Sequence, residues 1–176
     1  MKIGIDISQV AYENTGVAEY IGNLVEGLLK IDNNNEYIFF FSSLRKNFKF
    51  SILNFQSNPN VSIKKFKFPP ILLDLLWNRL HIFPIEWLIG DVDVFISSDW
   101  TQPPSKTKKA TILYDLVIYK QPEETDKKII ETQKRRLKWV KKECDLIFCI
   151  SEATKKDAIE ILEIKEDKLK VIYPGF

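Results

Sequence analysis

The feature that most constrains this chain is a repeated change of hydrophobic period. "IGIDI", Ile3 to Ile7, is a short apolar run, as buried parallel strands are, and it is followed from Gly16 by a helical repeat. In that repeat Val17, Ile21, Leu24, Val25 and Leu28 share one face, and Glu19, Asn23, Glu26 and Lys30 occupy the other. The switch recurs along the chain. "EYIFFFSS", "NVSIKKFKF", "DVDVFISS", "ATILYDL", "CDLIFCIS" and "KLKVIYPGF" read as strands. An aromatic stretch over 71–89 reads as helical and broken near Pro84. From Pro122 to Glu143 the pattern is a long basic helix with Ile130, Leu137, Val140 and Cys144 as its apolar stripe. "SEATKKDAIEIL" is a further helix, with Ser151 as N-cap and Thr154 in its first turn. Short apolar strands alternating with amphipathic helices predict an α/β chain, with a Rossmann-like, mostly parallel sheet covered by helices on both faces.

Composition excludes several classes. A formal net charge of +2 over 176 residues carries no nucleic-acid signature. The start reaches Asp6 before any long apolar core, unlike a secretory leader. The most apolar stretch is interrupted by Asp74, Arg79, Pro84 and Glu86, whereas a membrane span needs about 20 mostly uncharged residues. Cys144 and Cys149 fall in one strand-like run, which sets them on opposite faces about 16 Å apart, too far for a disulfide. Reduced thiols fit a cytoplasmic chain. The single histidine, His81, lies in the aromatic stretch and reads as a packed structural residue. No metal-ligand spacing and no serine–histidine–aspartate set is present, so neither a metal nor a tightly bound cofactor is expected.

In an open α/β sheet ligands bind beyond the carboxyl ends of the strands, which selects four loops. In the first, Gly16 opens a helix and reads two ways: a turn into a core helix, or a bare backbone that anions approach at a helix N-terminus. The glycine fingerprint of dinucleotide sites is absent. In the second, Asp99 and Trp100 pair an acid with an aromatic ring, a pattern shared by sugar clefts and solvent loops. In the third, Asp115 stands directly after a strand, as a partner for hydroxyls, a general base or the cap of a neighbouring turn; Tyr114 adds a hydroxyl and a ring. In the fourth, Ser151 and Glu152 begin a helix that either is simply capped or faces a phosphate or hydroxyl. The lysines of 127–142, with "KNFKF" and "KKFKF", read as a solvated face or as contacts for anionic lipid heads.

In chain order, "IGIDIS", "TGVAEYIGNL", "DVFISSDWTQPP", "TILYDL", "DLIFCISEATKKDAIEIL" and "KVIYPGF" resemble the N-terminal half of family 4 (group 1) glycosyltransferases of GT-B fold. Within that family the chain looks like the mannosyltransferase-type enzymes of bacterial surface polysaccharide synthesis. The resemblance implies retaining transfer from a nucleotide-sugar, such as a GDP- or UDP-sugar, to an acceptor hydroxyl in polysaccharide or glycolipid synthesis. Residues 1–172 would form the acceptor-side domain and 173–176 the start of an interdomain hinge. The donor-binding domain would lie outside this chain, leaving it inactive alone. Gly16 matches the glycine loop that faces the donor phosphates, Asp115 the acid of an "HDL"-like motif, and Ser151 and Glu152 the "SE" turn. Ala18, Glu19 and Tyr114 depart from the glycine, arginine and histidine of many relatives. The implied partners are a sugar or lipid-linked acceptor and the donor-binding domain, with no nucleic acid. The implied location is the cytoplasm, with peripheral contact at the inner membrane face. The competing reading is a non-catalytic Rossmann-like binding or interaction module.

Overall fold

A computed structural model describes residues 1–46 and 58–175. Seven strands form one sheet: β1 (Lys2–Asp6), β2 (Glu36–Ser42), β3 (Val61–Phe66), β4 (Val94–Ser97), β5 (Lys108–Leu113), β6 (Leu146–Cys149) and β7 (Leu169–Val171). Their order is β3-β2-β1-β4-β5-β6-β7, and every pairing is parallel. The chain therefore winds outward from β1 to β3, then crosses back to β4 and winds the other way. The topological switch point lies between β1 and β4, where Ile3 faces Val94 and Ile5 faces Ile96. This is the doubly wound Rossmann-like fold that the alternating periods predict.

β2 shows why both faces need cover. Tyr37, Phe39 and Phe41 pack with Ile5, Ile7 and Val25 of α1 (Gly16–Ile31), while Phe40 packs the other way against Leu73, Trp77, Ile85 and Phe95. A strand apolar on both sides has its two faces covered by different helical segments. Farther along, Tyr20 and Ile21 of α1 meet Ile112 of β5. α5 (Lys127–Glu143) and α6 (Glu152–Glu160) supply Leu137, Val140 and Ala158 to the core around β6.

The aromatic stretch over 71–89 differs from one helix broken at Pro84. It comprises α2 (Pro70–Leu73), a π-helical turn at Asp74–Arg79, and α3 (Glu86–Ile89). The chain reverses between the last two through His81 and Phe83, at φ 52° and 70°. The π turn directs Asp74, Trp77 and Asn78 inward together, a choice that polar partners reward and a hydrophobic period cannot anticipate. α5 begins at Lys127, capped by the Asp126 carboxylate, after a 3-10 turn at Pro122–Glu124. Cys144 caps the end of α5 instead of opening β6, and both cysteines sit reduced and fully buried in one core cluster. They are thus not on opposite strand faces. Burial pushes the two thiols up, to about 12 for Cys144 and about 11 for Cys149.

Candidate functional site at the strand switch point

Beyond the carboxyl ends of β1 and β4 the loops diverge and leave a cavity of about 580 Å³. One wall is apolar, from Phe68, Pro70, Ile71 and Leu73. The rest of the lining includes Asp6 at the end of β1, Ser8 and Gln9 just after it, Ser98, Trp100 and Thr101 after β4, and Lys128, Thr132 and Arg135 from α5.

Asp6 is the last residue of β1 and only 3% exposed. Its Oδ1 accepts from the Ser8 amide at 2.9 Å and the Ser8 hydroxyl at 2.5 Å. The same hydroxyl accepts from the Ser42 amide, tying β1 to the end of β2. Burial pushes the Asp6 carboxyl up to about 6, against the pull of the Ser8 bonds. Gln9, 2% exposed, donates from Nε2 to Asp99 Oδ1 at 3.1 Å, while its buried Oε1 has no partner. A buried acceptor without a donor costs free energy that a ligand hydroxyl would recover.

Asp99 links the cavity to a buried arginine. Its backbone oxygen accepts from Gln133 Nε2 at 2.7 Å, and Gln133 Oε1 in turn accepts from Arg136. Arg136, 2% exposed, donates to Thr111 Oγ1 at 2.7 Å and to the Ile112 carbonyl at 3.0 Å. Burial raises the Asp99 carboxyl above its ordinary range although the Arg136 charge opposes it, and burial likewise lowers the Arg136 guanidinium. Tyr114 stands edge-on to Tyr20, with centroids 5.4 Å apart. Its buried hydroxyl has no partner, and burial, with the nearby Asp99 charge, pushes it well above a free phenol.

On the α5 side, Asp74 accepts from Arg79 Nε and from Arg135, each at 3.0 Å, and from Asn78 Nδ2 at 3.1 Å. Burial pushes this carboxyl up, yet the two arginines and Asn78 more than offset it and hold it below the ordinary range. Asn78 also donates to the Trp100 carbonyl and accepts from the Gln102 amide, fixing the β4 loop that carries Asp99 and Trp100.

The remaining strand-end residues stand apart from this cavity. Gly16 is the first residue of α1, with open space where a Cβ would sit. The positive φ of the turn falls on Asn14, at 65°, and the Thr15 hydroxyl caps the helix by accepting from Ala18. Asp115 is exposed, and its Oδ1 accepts from the Val117 amide at 3.0 Å, capping the short helix α4 (Val117–Lys120). Ser151 caps α6 through Thr154, whose hydroxyl reaches the Tyr114 carbonyl, while Glu152 is exposed in the first turn. His81 stacks on Trp139 at 3.6 Å and bonds Glu143, the packed role expected of it.

Asp6, Gln9, Asp74 and Arg136 are what sequence reasoning missed. The strand-end rule applied equally to Asp6 and Gln9. Arg136 was hidden within a run of lysines, where one buried cation leaves no trace in composition. No group of three or more His, Cys, Asp or Glu side chains among the described residues is placed to hold a metal. Nor is any helix among them long and apolar enough to cross a membrane.

The arrangement is a cleft lined by buried polar side chains beside an aromatic ring, at the carboxyl edge of a doubly wound sheet. A search of curated proteins finds no match. The model of the family described as Glycosyltransferase Family 4 matches residues 14–176, nearly the whole chain and all of the strand-end loops after the first turn. The chain belongs to Glycosyltransferase Family 4.

Proposed function

We propose that this chain is the acceptor-binding domain of a retaining, nucleotide-sugar-dependent glycosyltransferase, mannosyltransferase-like and acting in surface polysaccharide or glycolipid synthesis. The observation that carries the reading is the switch-point cavity, where Asp6 and the unpartnered Gln9 Oε1 offer buried acceptors to hydroxyls. In this reading Asp6, Gln9 and Asp99 accept from the acceptor's hydroxyls, and Trp100, 37% exposed, lies under a sugar's C–H face. Asp115, beyond the end of β5 and outside the cavity, orients the attacking hydroxyl in this reading. Tyr114 lines its approach, and the helix starts at Gly16 and at Ser151 and Glu152 face the donor.

The donor phosphates would meet the bare backbone at Gly16, where nothing fills the place of a side chain. The opposite wall, carrying the donor nucleotide and stabilising the leaving diphosphate, would come from a second domain. Residues 1–176 are then expected to bind acceptor without transferring sugar, in the cytoplasm where nucleotide-sugars are available.

Saturation-transfer NMR with a panel of methyl hexosides tests the acceptor site. We expect contact that Gln9→Ala and Asp99→Ala each weaken at least about tenfold, the loss of one good hydrogen bond to a charged or buried group. Binding indifferent to both substitutions, or no binding of any hexoside, would leave the alternative of a non-catalytic module. Sugar transfer from a GDP- or UDP-hexose by residues 1–176 alone would overturn the division of labour between domains.

A further inference from the structure

Two arginines line the cavity, and a third stands behind its wall. Arg79 and Arg135 both donate to Asp74, so their charge is answered at contact distance. Arg136, the next residue of α5, bonds the sheet instead and is 2% exposed. A buried guanidinium is costly unless its surroundings favour the charge. None of its hydrogen bonds goes to a carboxylate. They reach Thr111 Oγ1, the Ile112 carbonyl and Gln133 Oε1, while its buried Nε has no partner.

The anion in reach is Asp99. The half-buried Gln133 lies between them, donating to the Asp99 carbonyl at 2.7 Å and accepting from Arg136 at 3.4 Å. A second route runs through the sheet. Thr111 Oγ1, which accepts from Arg136 at 2.7 Å, meets Ser97 Oγ at 2.8 Å, and Ser97 Oγ donates to Gln102 Oε1 at 2.6 Å. Arg136 therefore holds both sides of the loop beyond β4, at Asp99 through Gln133 and at Gln102 through Thr111 and Ser97. Around the Asp99 carboxylate stand Gln9, which donates to it, Asp6 at the end of β1, and Tyr114 and Asp115 beyond β5. Burial and the two neighbouring acids disfavour its charge, and Arg136 is the cation that opposes them. Away from bulk water that attraction acts across a side chain's length.

We infer that Arg136 is the positioning residue of Asp99: from behind the cleft wall it fixes the loop over 98–101 and favours the ionised, hydrogen-bond-accepting form of the Asp99 carboxyl. The consequence for sugar recognition rests on the role proposed for Asp99 above; the effect on Asp99 itself does not.

Carbon-13 NMR of the Asp99 carboxyl, identified by its loss in Asp99→Asn, tests this in a pH titration without sugar. At the pH where half of wild-type Asp99 is ionised, Arg136→Met should leave only about a tenth ionised, the lower limit for losing a neighbouring guanidinium. Arg136→Lys keeps the charge and should restore most of the ionised fraction. If circular dichroism finds Arg136→Met unfolded, Arg136→Gln makes the same comparison, with a neutral amide in place of the guanidinium. Affinity for a methyl hexoside should fall most in the neutral variant at that same pH and less at higher pH, where Asp99 is ionised in both proteins. A purely structural role would lower it equally at every pH. An Asp99 titration unmoved in the neutral variants, or moved as far in Arg136→Lys, overturns the inference. A titration that moves as expected in a protein that binds no hexoside would uphold it and overturn the sugar-recognition reading instead.

Discussion

Asp6 concentrates the physical chemistry of the cavity in one carboxyl group. Burial raises it from its ordinary 3.8 to about 6, so between those values the folded chain holds a proton that the unfolded chain has released. Stability rises with pH where the unfolded state binds more protons; here the folded state binds more, so the Asp6 contribution falls as pH rises through that window. The expected size is about 3 kcal/mol, lost between about pH 4 and pH 7. Asp6→Asn keeps an oxygen for the Ser8 amide and removes the titration. The unfolding free energy of wild type minus that of Asp6→Asn, from urea titrations at each pH, should therefore decline by about that amount and then level off. A flat difference would mean that Asp6 ionises as freely folded as unfolded. The strand-end rule singles out Asp99 and Trp100, and of the two Trp100 lines the cavity; acids and aromatics directly after apolar strands are visible to that rule. It did not rank Asp6 among them, since an aspartate in "IDIS" differs from a solvent-loop aspartate only through its burial.

At the scale of elements, the π turn at Asp74–Arg79 holds the site together. Asn78 is 2% exposed and satisfies the Trp100 carbonyl and the Gln102 amide while donating to Asp74. It thereby joins the segment covering one sheet face to the loop beyond β4. Asn78→Ala leaves those buried groups without partners and should cost about 3 kcal/mol, read as a lower urea midpoint with unchanged slope. A loss below about 0.5 kcal/mol would show that water enters and replaces the amide. Periodicity made the strands, α1 and the stripe of α5 legible, because each buries one continuous face: Val25 and Ile21 on α1, Leu137 and Val140 on α5. The 70–89 segment was opaque for the same reason. Its course depends on where Asn78 and the Trp77 indole find acceptors, including the Phe83 carbonyl at 2.9 Å, and such pairings are tertiary. Cys144 was misassigned similarly, as a helix end that directly precedes a strand carries no change in hydrophobicity.

Across the whole molecule, the cavity is the seam between two halves that wind in opposite directions. Asp6, Ser8 and Ser42 belong to the β3-β2-β1 half, while Ser98, Thr101, Thr132 and Arg135 belong to the half built on β4 to β7. β1 and β4 pair over only three residues, Ile3 to Ile5 against Val94 to Ile96, so contacts across the seam beyond the strand ends weigh heavily. Gln9 to Asp99 at 3.1 Å and Asn78 to Gln102 at 3.0 Å are two of them. A ligand seated in the cavity touches both halves and adds to this small set. Binding restricted to the folded state stabilises it by about 2.7 kcal/mol at a hundredfold excess over Kd, which for a chain of this size raises Tm by about 5–10 °C. Hydrogen exchange locates the effect. Amides after β1 (residues 8–12) and in α5 (residues 128–135) should both slow when a bound hexoside is present, because the ligand closes the seam from two sides. Protection confined to one half would place the hexoside outside the switch point, and it would detach Asp6 and Gln9 from sugar recognition.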